Sequence, residues 1–303
     1  MQTAATVGEQ GFADMGGGRV LYHCGDGIVS AWGGAFGSES RLKAGPSGAS
    51  ALRSSTSGFI AGVDTTVANS WRLGVAGSYA SGSIHSVVPA AAQHDSWTGL
   101  VYGALALNDV YIGGGYAHSV HGVKTERDIS IRALNEHLTS RYRGRSDQIF
   151  GEASYNHILN SAVAVTPFAG FTYSATRTAA FNETGGAAAL QAQSSEQKTI
   201  SSLIGIRGKA DIVIDQSSIL SLKGSVGWNF NMAGRDAENS SRFQDGAETF
   251  RTRGIELPRN SLMIEAGMGM ALDDGVTLDV NYTGSWSGAD RSNAVRGSLT
   301  TKF

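Results

Sequence analysis

Nine charged side chains recur at equivalent positions of alternating segments: Asp64, Arg72, Glu152, Arg207, Lys223, Glu265, Asp279, Arg296 and Lys302. Each sits on the face of its segment that carries hydroxyls, amides or glycines, opposite a run of apolar residues. Charges of both signs on adjacent strands can pair across a polar lumen and hold its contents. The functional reading is a hydrophilic conduit whose wall offers no apolar surface. The structural reading is that the pairs satisfy one another and stiffen a wall, and it is the more economical one for any single residue.

Conventional catalytic chemistry finds little footing. There is no GxSxG nucleophile elbow, no GxxxxGK phosphate loop and no HExxH zinc motif. His118 and His121 are three apart in an extended segment, so their rings point to opposite faces and joint metal ligation is not expected. Gly113, Gly114 and Gly115 lie within a strand and precede no helix, so close packing explains them better than a phosphate cradle. Glu152 and Glu265 belong to strands far apart in order, and a structural role is the default for both. Cys24 is the single cysteine and has no partner for a disulfide or a CxxC site. The expectation is a protein that is not an enzyme and needs no cofactor or metal.

The elements that position these residues are strands. From Val276 to Trp286 the odd positions Thr277, Asp279, Asn281, Thr283 and Ser285 are polar, and the even ones are Val276, Leu278, Val280, Tyr282, Gly284 and Trp286. Such period-two alternation gives one apolar and one polar face. A turn at Ser287 to Asp290 leads to a last strand with Val295, Gly297, Leu299, Thr301 and Phe303 on one face. Its other face carries Arg296, Ser298, Thr300 and Lys302. An ordinary soluble sheet could alternate in this way, but about ten alternating residues with an aromatic end are also the signature of a transmembrane barrel strand, and repetition of the pattern decides between them.

Composition agrees. The 303 residues include 41 glycines but only 4 prolines, and mean hydropathy is slightly negative. No continuous apolar run of roughly 18 residues occurs, which removes a helical membrane protein but leaves a barrel open. A net charge of -2 gives no general attraction for nucleic acid or anionic lipid. The first residues lack the basic and apolar regions of a signal peptide, so an export signal is expected upstream.

In chain order, residues 1–26 read as a glycine-rich linker with a short helix, entering a lumen, and residues 27–303 as the barrel. Its strands are expected to begin at Gly27, Thr56, Trp71, Trp97, Val110, Gln148, Val163, Thr199, Ile219, Arg259 and Val276, with a twelfth closing the chain. Short turns near residues 69, 108, 160, 214 and 274 alternate with mostly longer connections. The charged stretch from His121 to Asp147 reads as a solvated loop extending strands five and six. The longest polar loop runs from about Met232 to Leu257. Loops sorted by length onto two ends fit an outer-membrane barrel of about twelve antiparallel strands, with both chain ends in the periplasm.

Several blocks resemble the translocator (β) domain of monomeric bacterial autotransporters, the type V secretion family. They are PFAGFTYSATRTAAFNETGGAAAL (167–190), SSLIGIRG (201–208), RGIELPRNSLMIEAGMGMALDDGVTLDVNYTG (253–284) and the terminal VRGSLTTKF. The likeness spans about Gly27 to Phe303, in matching order and spacing. It implies a bacterial outer-membrane barrel, bounded by outer-membrane lipid, that anchors and helps export an upstream passenger. It also implies that the terminal strand, through Val295, Gly297, Leu299 and Phe303, is an assembly signal read by the barrel assembly machinery. No Asn-Asn pair stands at the head of the barrel, so self-cleavage is not implied. The alternative is a stand-alone porin or adhesin acting through its loops.

Overall fold

A computed structural model describes residues 29–45, 50–68, 70–87, 90–131, 134–215, 218–272 and 275–303. The expected linker and short helix of residues 1–26 lie outside the described residues. Twelve long strands are numbered here in chain order. They are β1 (Val29–Leu42), β2 (Leu52–Val67), β3 (Trp71–Ser86), β4 (Ala90–Leu107), β5 (Val110–Ile131) and β6 (Leu134–Tyr155). They continue as β7 (Val163–Thr178), β8 (Ser195–Val213), β9 (Ile219–Ala233), β10 (Asn260–Ala271), β11 (Thr277–Trp286) and β12 (Asp290–Lys302). Each pairs antiparallel with its neighbours, and β12 returns to β1 from Ser30↔Lys302 to Leu42↔Asp290. The sheet therefore closes on itself with no free edge along the wall. In hydrocarbon that closure is required, because an unpaired backbone N–H or C=O has no water to turn to.

Burial is inverted relative to a water-soluble domain. Phe59, Val75, Val101, Ile204, Val226 and Val280 stand about half exposed on the outer face, while Ser30, Asp64, Ser78, Gln148, Glu152 and Thr300 are buried on the inner one. The period-two pattern thus points its apolar residues outward, as a lipid-facing wall demands. On β3 the outward residues run from Trp71 to Tyr79, about 26 Å along the strand and roughly 20 Å in height at the ~40° tilt usual for such barrels. Near their upper limit Phe59, Tyr79 and Trp97 form an aromatic belt, with ring centroids 5.9 and 4.8 Å apart in sequence order.

The connections sort onto two ends. On the side of both termini they are tight: Asn108 adopts φ 54°, a left-handed value that Asn tolerates well, in the turn from β4 to β5. On the other side β5 and β6 pair continuously out to Ile131↔Leu134, far past the end of β7, which meets β6 only as far as Gly144. The stretch expected as a solvated loop is therefore a tall, regular hairpin. Its inner face buries Leu138 completely.

The two longest connections are also structured. Phe181–Asn182, Leu190–Ala192, Glu238–Phe243 and Thr249–Arg253 form a four-stranded sheet beside the hairpin, so the expected 232–257 loop contains two strands. Thr139 and Thr184 exchange backbone hydrogen bonds of 2.9 Å, which covers the part of the β6 edge that β7 leaves bare. Tyr142 stacks on Phe181 at 4.2 Å between centroids. Burial there pushes the Tyr142 phenol up to about 12.

Candidate functional site

The inner wall is the site, and its charges are tied in three groups. In the first, the Arg72 guanidinium on β3 donates to Asp64 Oδ1 on β2 through Nε at 2.8 Å and a terminal nitrogen at 2.5 Å. The Tyr102 hydroxyl donates to Asp64 Oδ2 at 2.7 Å, and Trp32 Nε1 donates to both that oxygen and the Tyr102 oxygen, at 3.1 and 2.9 Å. Trp32 comes from β1 and Tyr102 from β4. They meet because the strands between them carry Gly62 and Gly74 at the crossing points. A Cβ on Gly62 would stand 2.7 Å from the Trp32 ring, and one on Gly74 only 2.3 Å from the Tyr102 ring. Close approach is what these glycines supply.

In the second group, Arg207 on β8 grips Glu152 on β6 with two hydrogen bonds of 2.7 and 2.8 Å, crossing β7. The guanidinium carbon lies 3.6 Å above the centroid of Phe168, which β7 presents to the lumen. Charge, planar fork and aromatic face are combined as Arg permits and Lys does not. In the third group, Lys223 on β9 pairs with Asp279 on β11 across Gly269 of β10. Beside it Ser225 donates to Glu265 at 2.7 Å, and Ser221 and Lys209 both donate to Asp211.

The sequence-derived charges fall as follows. Asp64 with Arg72, Glu152 with Arg207, and Lys223 with Asp279 are brought together as pairs of opposite sign. Glu265 is taken by a hydroxyl rather than drawn to Glu152. Arg296 stands beside Trp32, its guanidinium carbon 5.8 Å from the ring centroid. Lys302 is opposite Ser30 at the mouth on the side of the termini, and is exposed. His118 turns outward to Asp147 at 2.8 Å and His121 inward to Ser96 and Ser146, so the two rings do occupy opposite faces. Val295 and Leu299 on β12, and Phe303 just past its end, face outward, about half exposed or more.

The inward aromatics Trp32, Tyr102, Phe150 and Phe168 were not singled out from sequence. Their signal is the glycine opposite each: a Cβ on Gly115 would meet the Phe150 ring at 2.7 Å and one on Gly205 the Phe168 ring at 2.6 Å. Gly62, Gly74, Gly115 and Gly205 are thus sockets for luminal rings.

A closed twelve-stranded barrel with an apolar exterior, an ion-paired interior and structured connections at one end defines an outer-membrane protein. Its family follows from sequence. The family model of the autotransporter beta-domain matches residues 31–283, and the chain belongs to that family. Two solved structures share the fold. The translocator domain of the autotransporter NalP from Neisseria meningitidis aligns with a TM-score of 0.79 at 15% identity, over 100% of this chain and 97% of that one. The beta domain of the Bordetella autotransporter BrkA aligns with a TM-score of 0.66 at 14% identity, over 91% and 100%. An extracellular serine protease of Serratia marcescens is 25% identical over 276 residues, which cover 91% of this chain and 26% of the protease. The chain therefore spans about a quarter of the length of the curated relatives it matches. It is a translocator domain of the bacterial outer membrane, the part of an autotransporter that serves export of the passenger.

Proposed function

We propose that the barrel carries its passenger by shape and polarity alone, without catalysing a reaction. The observation that supports this most directly is the arrangement of luminal charge. Asp64, Glu152 and Asp279 are buried, and each is bonded to a cation that is itself buried or largely so. They are spent on holding the wall rather than poised toward a substrate. A wall of hydroxyls and closed ion pairs gives a translocating chain water-like contacts and few anchoring points.

The same reading extends to the partners. Outer-membrane lipid packs against the outward apolar band, and the barrel assembly machinery reads the terminal strand, whose Phe303 side chain is 77% exposed on the outer face. By the same proposal the upstream chain, of which residues 1–26 are the part next to the barrel, would fill the lumen after export. The whole protein's cargo is the segment N-terminal to this domain.

Single-channel conductance of the refolded chain, with and without residues 1–26, tests the lumen assignment. A small conductance that rises on deletion supports it. A large conductance indifferent to the deletion favours an open porin.

A further inference from the structure

The outer wall of the β5–β6 hairpin carries a group of cations that the luminal network does not use. On β6 the odd positions face away from the lumen, and Ile149 is the last large apolar residue of that face. Above it come Asp147, then Arg145, Arg143 and Arg141, the three arginines all exposed. Lys124, also exposed, is directly opposite Arg141 on β5, and Arg145 is directly opposite Val120 on β5 and Arg177 on β7.

The nearby carboxylates are already engaged. Asp147 accepts from the Tyr116 hydroxyl at 2.6 Å and is bonded to His118, Asp95 accepts from Tyr79 at 2.8 Å, and Glu196 holds Arg177 at 2.8 Å and Lys198 at 3.2 Å. Glu126 is two residues further out on β5. Among the described residues, Lys124, Arg141, Arg143 and Arg145 form no ion pair. A net charge of -2 for the whole chain conceals this local excess.

Height decides what such a group meets. At ~3.3 Å per residue and ~40° tilt, Arg145, Arg143 and Arg141 stand about 10, 15 and 20 Å above Ile149. That places them in the headgroup layer, above hydrocarbon. A groove of about 910 Å³ opens there, lined by Trp97, Val120, Arg143, Arg145 and Arg177 together with the engaged carboxylates Asp95 and Glu196. We propose that this groove binds the phosphorylated sugar headgroup of an outer-leaflet glycolipid. Phosphates would lie against the arginines, whose planar forks match phosphate oxygens, and Trp97 would take the boundary between sugar and acyl chain. The proposal rests on the outer-membrane placement and not on the mode of export, so its failure leaves the translocator reading intact.

The test uses the full 303-residue chain refolded in neutral detergent, with a fluorescent bis-phosphorylated glucosamine glycolipid as probe. The triple variant R141Q/R143Q/R145Q, checked for folding by heat-modifiable migration, should bind it about a hundredfold more weakly, by the roughly fivefold expected for each of the three cations at an anionic surface. A control variant, R242Q/R251Q on the extracellular sheet, should bind as the parent does. If the triple variant does not fold, the dephosphorylated probe puts the same question to the unmodified protein, and should lose affinity by the same factor. Equal binding by a folded triple variant, or by the dephosphorylated probe, overturns the proposal. So does displacement of the probe by millimolar inorganic phosphate, which would make this a site for free anions.

Discussion

Arg207 and Glu152 face each other across an intervening strand, two parallel hydrogen bonds joining β8 to β6 over the ring of Phe168. Both side chains are less than a tenth exposed. A buried pair of this kind is far more costly to halve than to replace whole. Glu152→Ala should lower stability by about 3 kcal/mol, because it strands a buried guanidinium. The double change E152L/R207M should be milder than that single one. Urea unfolding in lipid vesicles measures both, and a double variant worse than the single would contradict the argument.

The Asp64 cluster makes a second prediction. Gly74 has no room for a methyl group, since its Cβ would overlap the Tyr102 ring and also stand 2.8 Å from Asp64 Cβ. Gly74→Ala should destabilise by about 1–3 kcal/mol. Adding Tyr102→Ser should restore part of the loss, by emptying the socket. If the second change instead adds fully to the first, Tyr102 is not what the methyl group meets.

How far the sequence discloses these features depends on which face a residue occupies. Along β3, Trp71, Leu73, Val75 and Tyr79 alternate with small or polar residues, because one side meets lipid, and the strand is legible at sight. Above the membrane the outer face of β5 and β6 meets water instead of lipid, while parts of the inner face stay buried, as at Leu138. The run Lys124 to Asp128 then loses its apolar half and reads as loop, although the backbone pairing continues. The same applies to Glu238–Phe243 and Thr249–Arg253. Alternation puts Glu152 and Arg207 on one face, but it does not say that they meet. That contact depends on barrel curvature, and on a phenyl ring and Gly170 in the strand they cross. The glycines record such contacts only indirectly, as gaps where rings fit.

The extracellular sheet is attached to the hairpin by few but specific contacts. Glu136 accepts the backbone N–H groups of Ala187 and Ala188 at 2.8 and 2.9 Å, and Arg127 donates to Glu183 at 2.5 Å. Glu136→Ala leaves two backbone donors without their acceptor. Proteinase K added to intact vesicles should then cut within residues 183–189 about tenfold faster, with heat-modifiable migration of the barrel unchanged. An unaltered cleavage rate would show that Glu136 does not hold this segment.

Phe303 ends the outward face of β12, and its backbone N–H donates to Val29 O at 2.9 Å, helping to close the barrel. Phe303→Asp keeps that backbone bond and changes only what lipid and assembly factors meet. In cells it should reduce the inserted, heat-modifiable fraction severalfold while total synthesis stays constant. Normal insertion would remove Phe303 from the assembly signal.

Asp290 begins β12 at the extracellular end, where it is half-buried and accepts from Ser40 Oγ at 3.1 Å. Burial pushes its carboxyl above the usual carboxylate range, and the hydrogen bonds from Ser40 and the Arg291 backbone only partly oppose this. The folded state therefore holds a proton at pH values where the unfolded chain has released it. Charging Asp290 costs stability that grows as pH rises above the unfolded value of about 3.9, is complete once pH has passed the folded pKa, and vanishes below the unfolded value. Asp290→Asn removes the charge and keeps an acceptor for Ser40. The variant should show a higher urea midpoint than the parent at pH 7, and the two should converge as pH is lowered to about 3. A difference that persists unchanged at low pH would mean that packing, not ionisation, distinguishes them.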